Sequence, residues 1–278
     1  MISDFFRRRP SCLGQPSSSL SKVPALTLGF WIVKILATTL GETAGDSVTM
    51  TWLGEATPNA GSGWLSGYLI GTTIFVVPLL LLVAAQIGNR KFHPSLYWAT
   101  IIASTTAGTT LADFFDRSLG IGYAGGSSAL LACVLLSLAC WRWVLGTISV
   151  ESVHEPRAET FYWLTITFSQ TLGTALGDWT ADSTMMGHAV GYTGGALMFG
   201  TALAIVVLLW FMTSLSRAGL FWAAFILTRP LGATLGDFLD KPVAKGGLDV
   251  SRPAASLVLL LAIAVCLWVF PQKPGKAH

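Results

Sequence analysis

The sequence predicts an all-α, polytopic membrane protein: eight transmembrane helices built from four parallel two-helix repeats. Three observations carry that prediction. The 278 residues are 53% hydrophobic and only 11% charged, against about 25% charged in an ordinary soluble domain. Apolar runs at 65–87, 127–148, 196–215 and 254–271 reach the roughly 18–20 residues that cross a bilayer. One motif also occurs four times: an aromatic residue and a Trp, then Gly ten residues and Asp fifteen residues after that Trp. The copies are Phe30-Trp31/Gly41/Asp46, Tyr97-Trp98/Gly108/Asp113, Tyr162-Trp163/Gly173/Asp178 and Phe221-Trp222/Gly232/Asp237. A spacing kept four times marks a duplicated structural unit.

The elements follow in chain order. Residues 1–27 hold Arg7, Arg8, Arg9 and the cluster Ser17, Ser18, Ser19, with no long apolar core before a small-residue cleavage site. They read as a disordered cytoplasmic tail and not as a cleaved signal. The membrane domain covers 28–271, as repeats at 28–90, 91–155, 156–216 and 217–271, and 272–278 form a second cytoplasmic tail. In each repeat the first span carries the motif (28–46, 96–114, 161–179, 220–238) and the second is a run of Leu, Val, Ile and Ala. Two spans per repeat bring every repeat in from the same side, so the repeats are parallel.

The first spans are rich in Gly, Ala and Thr. Small residues let helices approach closely in lipid. An inner cluster of first spans with an outer shell of second spans is therefore expected. Gly41/Gly45, Gly108/Ala112, Gly173/Gly177 and Gly232/Gly236 would be its close-packing pairs. The Trp is expected in the interfacial belt. The Asp would lie about 22 Å further along the helix, with the helix ending there on a left-handed glycine. ADFFDR (112–117) matches GDFLDK (236–241), and TLG recurs at 39–41 and 171–173, so the chain also reads as two four-helix halves.

Charge placement sets the topology. Of the 17 Lys and Arg, eleven fall on the Trp side, four (Arg117, Lys241, Lys245, Arg252) fall on the other, and Lys34 and Arg229 lie within spans. The positive-inside rule then puts both termini in the cytoplasm of a bacterial inner membrane. No basic stripe remains for a nucleic acid, so the expected partner is the lipid bilayer. Cys12, Cys133, Cys140 and Cys266 lack a Cys-x-x-Cys spacing and read as inert packing residues. GYAGG (122–126) and GYTGG (191–195) lack the Lys of a phosphate loop. With no nucleophile, paired-His or redox arrangement in the spans, neither an enzyme nor a cofactor is expected.

Acids inside apolar spans are costly and mark function. In GETAGD, Glu42 precedes Asp46 by four residues, on one helix face; the equivalents of Glu42 are Thr109, Thr174 and Ala233. Two such carboxylates stay ionised together only with a cation or a shared proton. With the hydroxyls of Thr38, Thr39, Thr43, Ser47 and Thr49, Glu42 and Asp46 form an oxygen-rich metal site for a hard divalent cation. Asp113, Asp178 and Asp237 would extend the acidic pathway. Lys34 and Arg229 are the counter-charges, with Lys34 able to snorkel. Pro230 after Arg229 points to a broken helix lining a cavity. The five acids exceed these two bases by three charges. Asp116, Asp182 and Asp240 read as outer-loop residues or an entry funnel, and His188 with Met185 and Met186 as surface residues.

FWIVKILATTLGETAGD (30–46), TTLADFFDR (109–117), YWLTITFSQTLGTALGDW (162–179) and TRPLGATLGDFLDK (228–241) resemble a bacterial membrane-protein family built from a tandem repeat of unknown function. Its members are described as uncharacterised membrane-anchored proteins. The resemblance covers 28–270 and implies an eight-helix inner-membrane protein. GETAGDS is also similar to the Glu-x-Gly-Asp repeats of cation/proton exchangers, with one extra residue before Gly and no basic residue after Asp46; what is shared is the chemistry. The expected function is exchange of a divalent cation for protons. The alternatives are a membrane scaffold, whose carboxylates would be fully satisfied, and a carrier of small organic solutes, which needs an aromatic-lined pocket.

Overall fold

The computed structural model describes residues 21–55, 66–185 and 188–275. They form eight long helices: α1 (Leu28–Asp46), α2 (Gly67–Gly88), α3 (Pro94–Asp113), α4 (Gly122–Leu145), α5 (Pro156–Asp182), α6 (Gly191–Met212), α7 (Arg217–Asp240) and α8 (Arg252–Val269). A two-residue hairpin, β1 (Thr184–Met185) and β2 (His188–Ala189), joins α5 to α6. Helix starts follow the sequence. The Thr27 and Ser216 side chains accept from the amides of Phe30 and Gly219, satisfying free N–H groups. Pro94 and Pro156 occupy the first helical position, where no amide hydrogen is missed.

The inner helices form a closed ring in the order α1, α3, α5, α7, with α7 back against α1. Each outer helix lies on the inner helix of the next repeat: α2 on α3, α4 on α5, α6 on α7, and α8 on α1. Short links explain α2 on α3 and α6 on α7, while α4 reaches α5 through the longer link 146–155. The α2–α3 link is 89–93 and the α6–α7 link 213–216, and short links leave antiparallel neighbours. The last pairing has no such link. It is closed by the two ends of the described chain: Ala25 N donates to Lys273 O (2.8 Å) and Gly275 N to Val23 O (2.9 Å).

Five helices (α2, α4, α6, α7, α8) are long and apolar enough to cross a membrane, which identifies a membrane protein. The apolar stretch of α7 is 67% buried, against 22, 17, 11 and 17% for α2, α4, α6 and α8. The outer helices therefore turn Leu80, Leu135, Leu208 and Leu261 outward, as expected where the solvent is lipid. The helices α1, α3 and α5 have 19, 20 and 27 residues but interleave Thr, Ser and Gly, and they lie inside the shell.

Equivalent residues meet cyclically. Phe30 packs on Trp98 (centroids 5.5 Å), Tyr97 on Trp163 (5.7 Å), Tyr162 on Trp222 (6.0 Å) and Phe221 on Trp31 (6.0 Å). Trp98, Trp163 and Trp222 are buried and Trp31 half-buried. The tryptophans are thus not an interfacial belt. They form an inward collar, three of its four pairs tilted at about 50° and Tyr162–Trp222 edge-to-face, and aromatic pairs add about 0.5–1.5 kcal/mol each to area burial. The Tyr97 and Tyr162 hydroxyls share a 2.6 Å hydrogen bond inside it.

The seven glycines also act between repeats. A Cβ on Gly108 would stand 2.9 Å from the Gln170 carbonyl carbon; on Gly45, 2.9 Å from Thr109 Cγ2; on Gly177, 2.9 Å from Ala233 Cβ; on Gly236, 2.7 Å from Glu42 Cβ. On Gly41, Gly173 and Gly232 it would run into Thr105, Arg229 and Thr38. Each glycine admits the next helix.

Four expectations change. Gly45, Gly177 and Gly236 keep negative φ and end no helix. The helices α5 and α7 run on to Asp182 and Asp240, while α1 and α3 widen into π-helical turns at Ser47–Trp52 and Phe114–Ser118. Helical backbone at these glycines is what lets the neighbour pack so closely. Pro230 leaves α7 continuous; hydroxyls shore up the backbone there, Thr38 Oγ1 donating to Thr228 O at 3.1 Å and Thr234 Oγ1 to Pro230 O at 3.0 Å. Residues 21–27, read as the end of a loose tail, are packed: Val23 joins the core cluster of the aromatic collar, and Lys22 pairs with Glu159 at 2.5 Å. Of the cysteines, Cys140 is exposed and Cys133 and Cys266 half-buried; Cys12 and residues 1–20 lie outside the described residues, as do 276–278.

Candidate functional site

Four layers of equivalent residues line the inside of the inner ring. Three residues after each Trp come Lys34, Ile101, Ile166 and Phe225; seven after, Thr38, Thr105, Gln170 and Arg229; eleven after, Glu42, Thr109, Thr174 and Ala233; fifteen after, the four aspartates. All of them are buried. The polar content rises from the Trp end to the Asp end.

Arg229 marks the axis. From α7 its Nη2 reaches Glu42 Oε2 on α1 (3.0 Å), Thr109 Oγ1 on α3 (2.6 Å) and Thr174 Oγ1 on α5 (2.5 Å). Its Nη1 reaches Thr38 O at 3.5 Å. One guanidinium thus touches the other three inner helices. Its stem fits because Gly173 opposite has no side chain. Charge-assisted hydrogen bonds of this kind are about twice as strong as neutral ones.

The aspartates are joined in two pairs. Arg117 Nε lies 2.9 Å from Asp113 Oδ1, and its Nη2 lies 2.9 Å from Asp178 Oδ2. Lys241 Nζ lies 2.9 Å from Asp237 Oδ1 and 2.5 Å from Asp46 Oδ2. Each cation ties the Asp of its own repeat to that of the next. The same position holds Met50 and Asp182 in the other two repeats, so a fourfold backbone carries twofold charge. At Lys241, burial opposes the charged form, but the carboxylates of Asp237, Asp46 and Asp240 outweigh it and raise its pKa above the usual lysine value. Arg252 Nε adds contacts of 3.9 Å to Asp46 and 3.6 Å to Asp240.

Of the five expected acids, Glu42, Asp46 and Asp237 converge: one oxygen from each lies within 4.8 Å of the others. Asp113 and Asp178 sit together across Arg117. The three converging oxygens suit a hard cation such as Mg²⁺, Ca²⁺ or Mn²⁺. Asp46 Oδ1 has no hydrogen-bond partner among the described residues. The hydroxyls of Thr39, Thr43, Ser47 and Thr49 donate to carbonyls of their own helical run, Thr43 also accepting from Ser256, while Thr38 donates across to α7. Seven carboxylates (Glu42, Asp46, Asp113, Asp116, Asp178, Asp237, Asp240) face four cations (Arg117, Arg229, Lys241, Arg252). The formal excess is three negative charges.

Some expectations are corrected here. Lys34 does not snorkel and pairs with no carboxylate among the described residues. It is fully buried, with Nζ 4.0 Å above the Phe225 ring and no hydrogen-bond partner among those residues. Arg117 and Lys241, read as outer-loop neighbours of Asp116 and Asp240, turn back onto the aspartate layer. The signal was present: Asp113/Arg117 and Asp237/Lys241 are four apart, the spacing of a helical ion pair. Asp116 and Asp240 are buried beside that layer, whereas Asp182 is exposed. Met186 falls outside the described residues, and His188 is placed in β2. A cleft of about 330 Å³ lies on the flank of α6 and α7, lined by Trp31, Leu203, Val207, Trp210, Phe211 and Phe221; none of the five acids borders it.

No curated protein and no solved structure matches the chain. A family model described as a Repeat of Unknown Function (DUF347) matches residues 29–92, 96–147, 161–216 and 220–273. Those four segments coincide with the four Trp/Gly/Asp units of the ring and together cover most of the sequence. The chain therefore belongs to the family of the Repeat of Unknown Function DUF347.

Proposed function

We propose that the protein is a multi-pass transporter of the bacterial inner membrane that exchanges a divalent metal cation for protons. In this reading all eight helices cross the bilayer and both termini are cytoplasmic. The two ends of the described chain pair with each other at the Trp end, and the Trp side carries most of the Lys and Arg; both support that topology.

The observation that carries the reading is the convergence of Glu42, Asp46 and Asp237 within 4.8 Å, in the buried centre of the bundle. The protein's own cations hold this site: Arg229 holds Glu42, and Lys241 holds Asp46 and Asp237. A divalent ion entering from the Asp end, past Asp240 and Arg252, replaces the Lys241 ammonium between the carboxylates. Arg229 gives up Glu42 but keeps the Thr109 and Thr174 hydroxyls, so it stays on the axis. When the ion leaves, the acids are neutralised again by the resident cations or by protons, because carboxylates in low dielectric do not remain ionised alone. The Trp/Tyr collar closes the opposite end.

A second reading is a membrane scaffold. The Asp113–Arg117–Asp178 bridge favours it, since such a bridge also serves as a permanent staple. Flux measurements separate the two. Purified protein in liposomes, with a pH gradient and Mn²⁺ outside, should load Mn²⁺ faster than empty liposomes. Glu42→Gln, Asp46→Asn and Asp237→Asn should each lower the rate about tenfold or more. Wild-type protein no faster than empty liposomes for Mn²⁺, Mg²⁺ and Ca²⁺ favours the scaffold.

A further inference from the structure

We infer that the cleft on the flank of α6 and α7 holds one phospholipid with an ethanolamine headgroup: an acyl chain in the cleft, the phosphate at Arg217 and the ammonium at Glu151. The inference uses the membrane setting of the chain and is independent of the exchange reading.

The cleft arises where two equivalent helix pairs differ. The helices α4 and α6 open on GYAGG (122–126) and GYTGG (191–195), and Trp141 and Trp210 each stand fifteen residues past the last of those glycines. Trp141 is fully buried. It stacks on Phe161 of α5 and meets Trp222 edge-on at 5.8 Å. Four residues earlier, Ser137 hydrogen-bonds to Thr165 of α5 at 2.9 Å. In the α6–α7 pair, Phe161, Ser137 and Thr165 become Leu220, Val206 and Ala224, and all three line the cleft. Trp210 is half-buried, with its ring centroid 4.8 Å from Arg217 Cζ, and a space of about 330 Å³ stands beside it. Trp31, which takes the place of Trp222 here, is the half-buried member of the collar. One pair is thus filled and clasped, and the other is open and apolar.

The walls select the occupant. They are hydrocarbon and indole rings, with Thr27 the single hydroxyl, and that hydroxyl already caps α1 by accepting from the Phe30 amide. Nothing there would hold a polar solute, whereas an alkyl chain regains the packing that an empty space forfeits. The rim is open to the bilayer, since Val207 is 48% and Phe211 80% exposed. At the Trp end the cleft adjoins a second hollow of about 240 Å³; Leu26 and Trp210 border both. Glu151 lines that hollow, and Arg217 stands over Trp210 and donates to its carbonyl. Both charges are exposed, and neither has an ion-pair partner among the described residues. A cation and an anion at one mouth match the phosphate and the ammonium of phosphoethanolamine. A glycerol headgroup brings no cation for Glu151, and a choline cannot donate a hydrogen bond to it.

The test is native mass spectrometry of the full-length protein, stripped of lipid in detergent and titrated separately with dioleoyl phosphatidylethanolamine, phosphatidylglycerol and phosphatidylcholine. One ethanolamine lipid should bind per chain, about threefold or more tighter than the other two. Val207→Trp, which sets a ring at the open rim of the cleft, should weaken all three by at least about tenfold. Arg217→Gln and Glu151→Gln lie on the surface, so both should fold as wild type does in thermal unfolding. The first should weaken all three lipids by about fivefold, and the second should abolish the preference for ethanolamine over glycerol. Equal affinity of wild type for the three lipids, no saturable binding, or wild-type binding in Arg217→Gln and Glu151→Gln would overturn the inference.

Discussion

Replacing Arg229 by Met keeps the apolar stem that packs on Gly173 and removes the guanidinium. The loss is concentrated: one ion pair to Glu42 at 3.0 Å, two hydroxyl contacts at 2.6 and 2.5 Å, and a carbonyl contact at 3.5 Å, all from a side chain with no exposure. Breaking one partner of a buried pair costs about 3–5 kcal/mol, because the other charge is stranded. Removing both charges costs much less, so Glu42→Gln/Arg229→Met should recover all but about 1–2 kcal/mol. For a chain of this size the single variant should unfold on the order of 10 °C below wild type, with most of that returned in the double variant. The assay is thermal unfolding in detergent across wild type, both single variants and the double. A double variant less stable than Arg229→Met alone would refute the reasoning, since it would mean that Glu42 is not stranded by loss of Arg229.

Three further predictions follow the same geometry. Gly108→Ala places a methyl 2.9 Å from the Gln170 backbone and should lower stability by about 1–3 kcal/mol; Gly88→Ala, with nothing within 4 Å, should stay within about 0.5 kcal/mol of wild type. Arg117→Met leaves the buried Asp113 and Asp178 without their cation, but Arg117 is itself 33% exposed, so the variant should cost less than Arg229→Met, about 1–3 kcal/mol in the same unfolding assay, largely restored by adding Asp113→Asn and Asp178→Asn. Tyr97→Phe removes one hydroxyl of the 2.6 Å pair with Tyr162 and should cost about 1 kcal/mol; adding Tyr162→Phe should cost little more, because no unpaired hydroxyl then remains.

Much of this arrangement was legible in the residues. Period and hydropathy identify the four repeats, the inner and outer helices and the close-packing glycines, because lipid rewards few other ways of placing Gly, Thr and Leu. The pairing of Arg229 with a carboxylate follows from the cost of a charge at that depth. The cyclic order is harder to read. Links 89–93 and 213–216 point to α2 on α3 and α6 on α7, but α8 on α1 is a contact between chain ends that no local pattern encodes. The tryptophans misled because an interfacial belt and an inward collar need the same residue at the same depth. Only the partner ring, supplied by the next repeat, decides between them. Arg117 and Lys241 were hidden by their position past the last small residue, where a span reads as finished. The helix runs one turn further, as a π-helical turn at Arg117 and as regular α7 up to Lys241, and brings the bases back onto the aspartates.

The claim on which all of this turns is that a metal ion and protons compete for Glu42, Asp46 and Asp237. It is tested most directly by adding Mn²⁺ to the purified, weakly buffered protein while recording binding heat and pH together. The account predicts saturable binding with at least one proton released for each ion bound, and both signals lost in Glu42→Gln/Asp46→Asn. Binding without proton release, or no binding to a correctly folded sample, would contradict it.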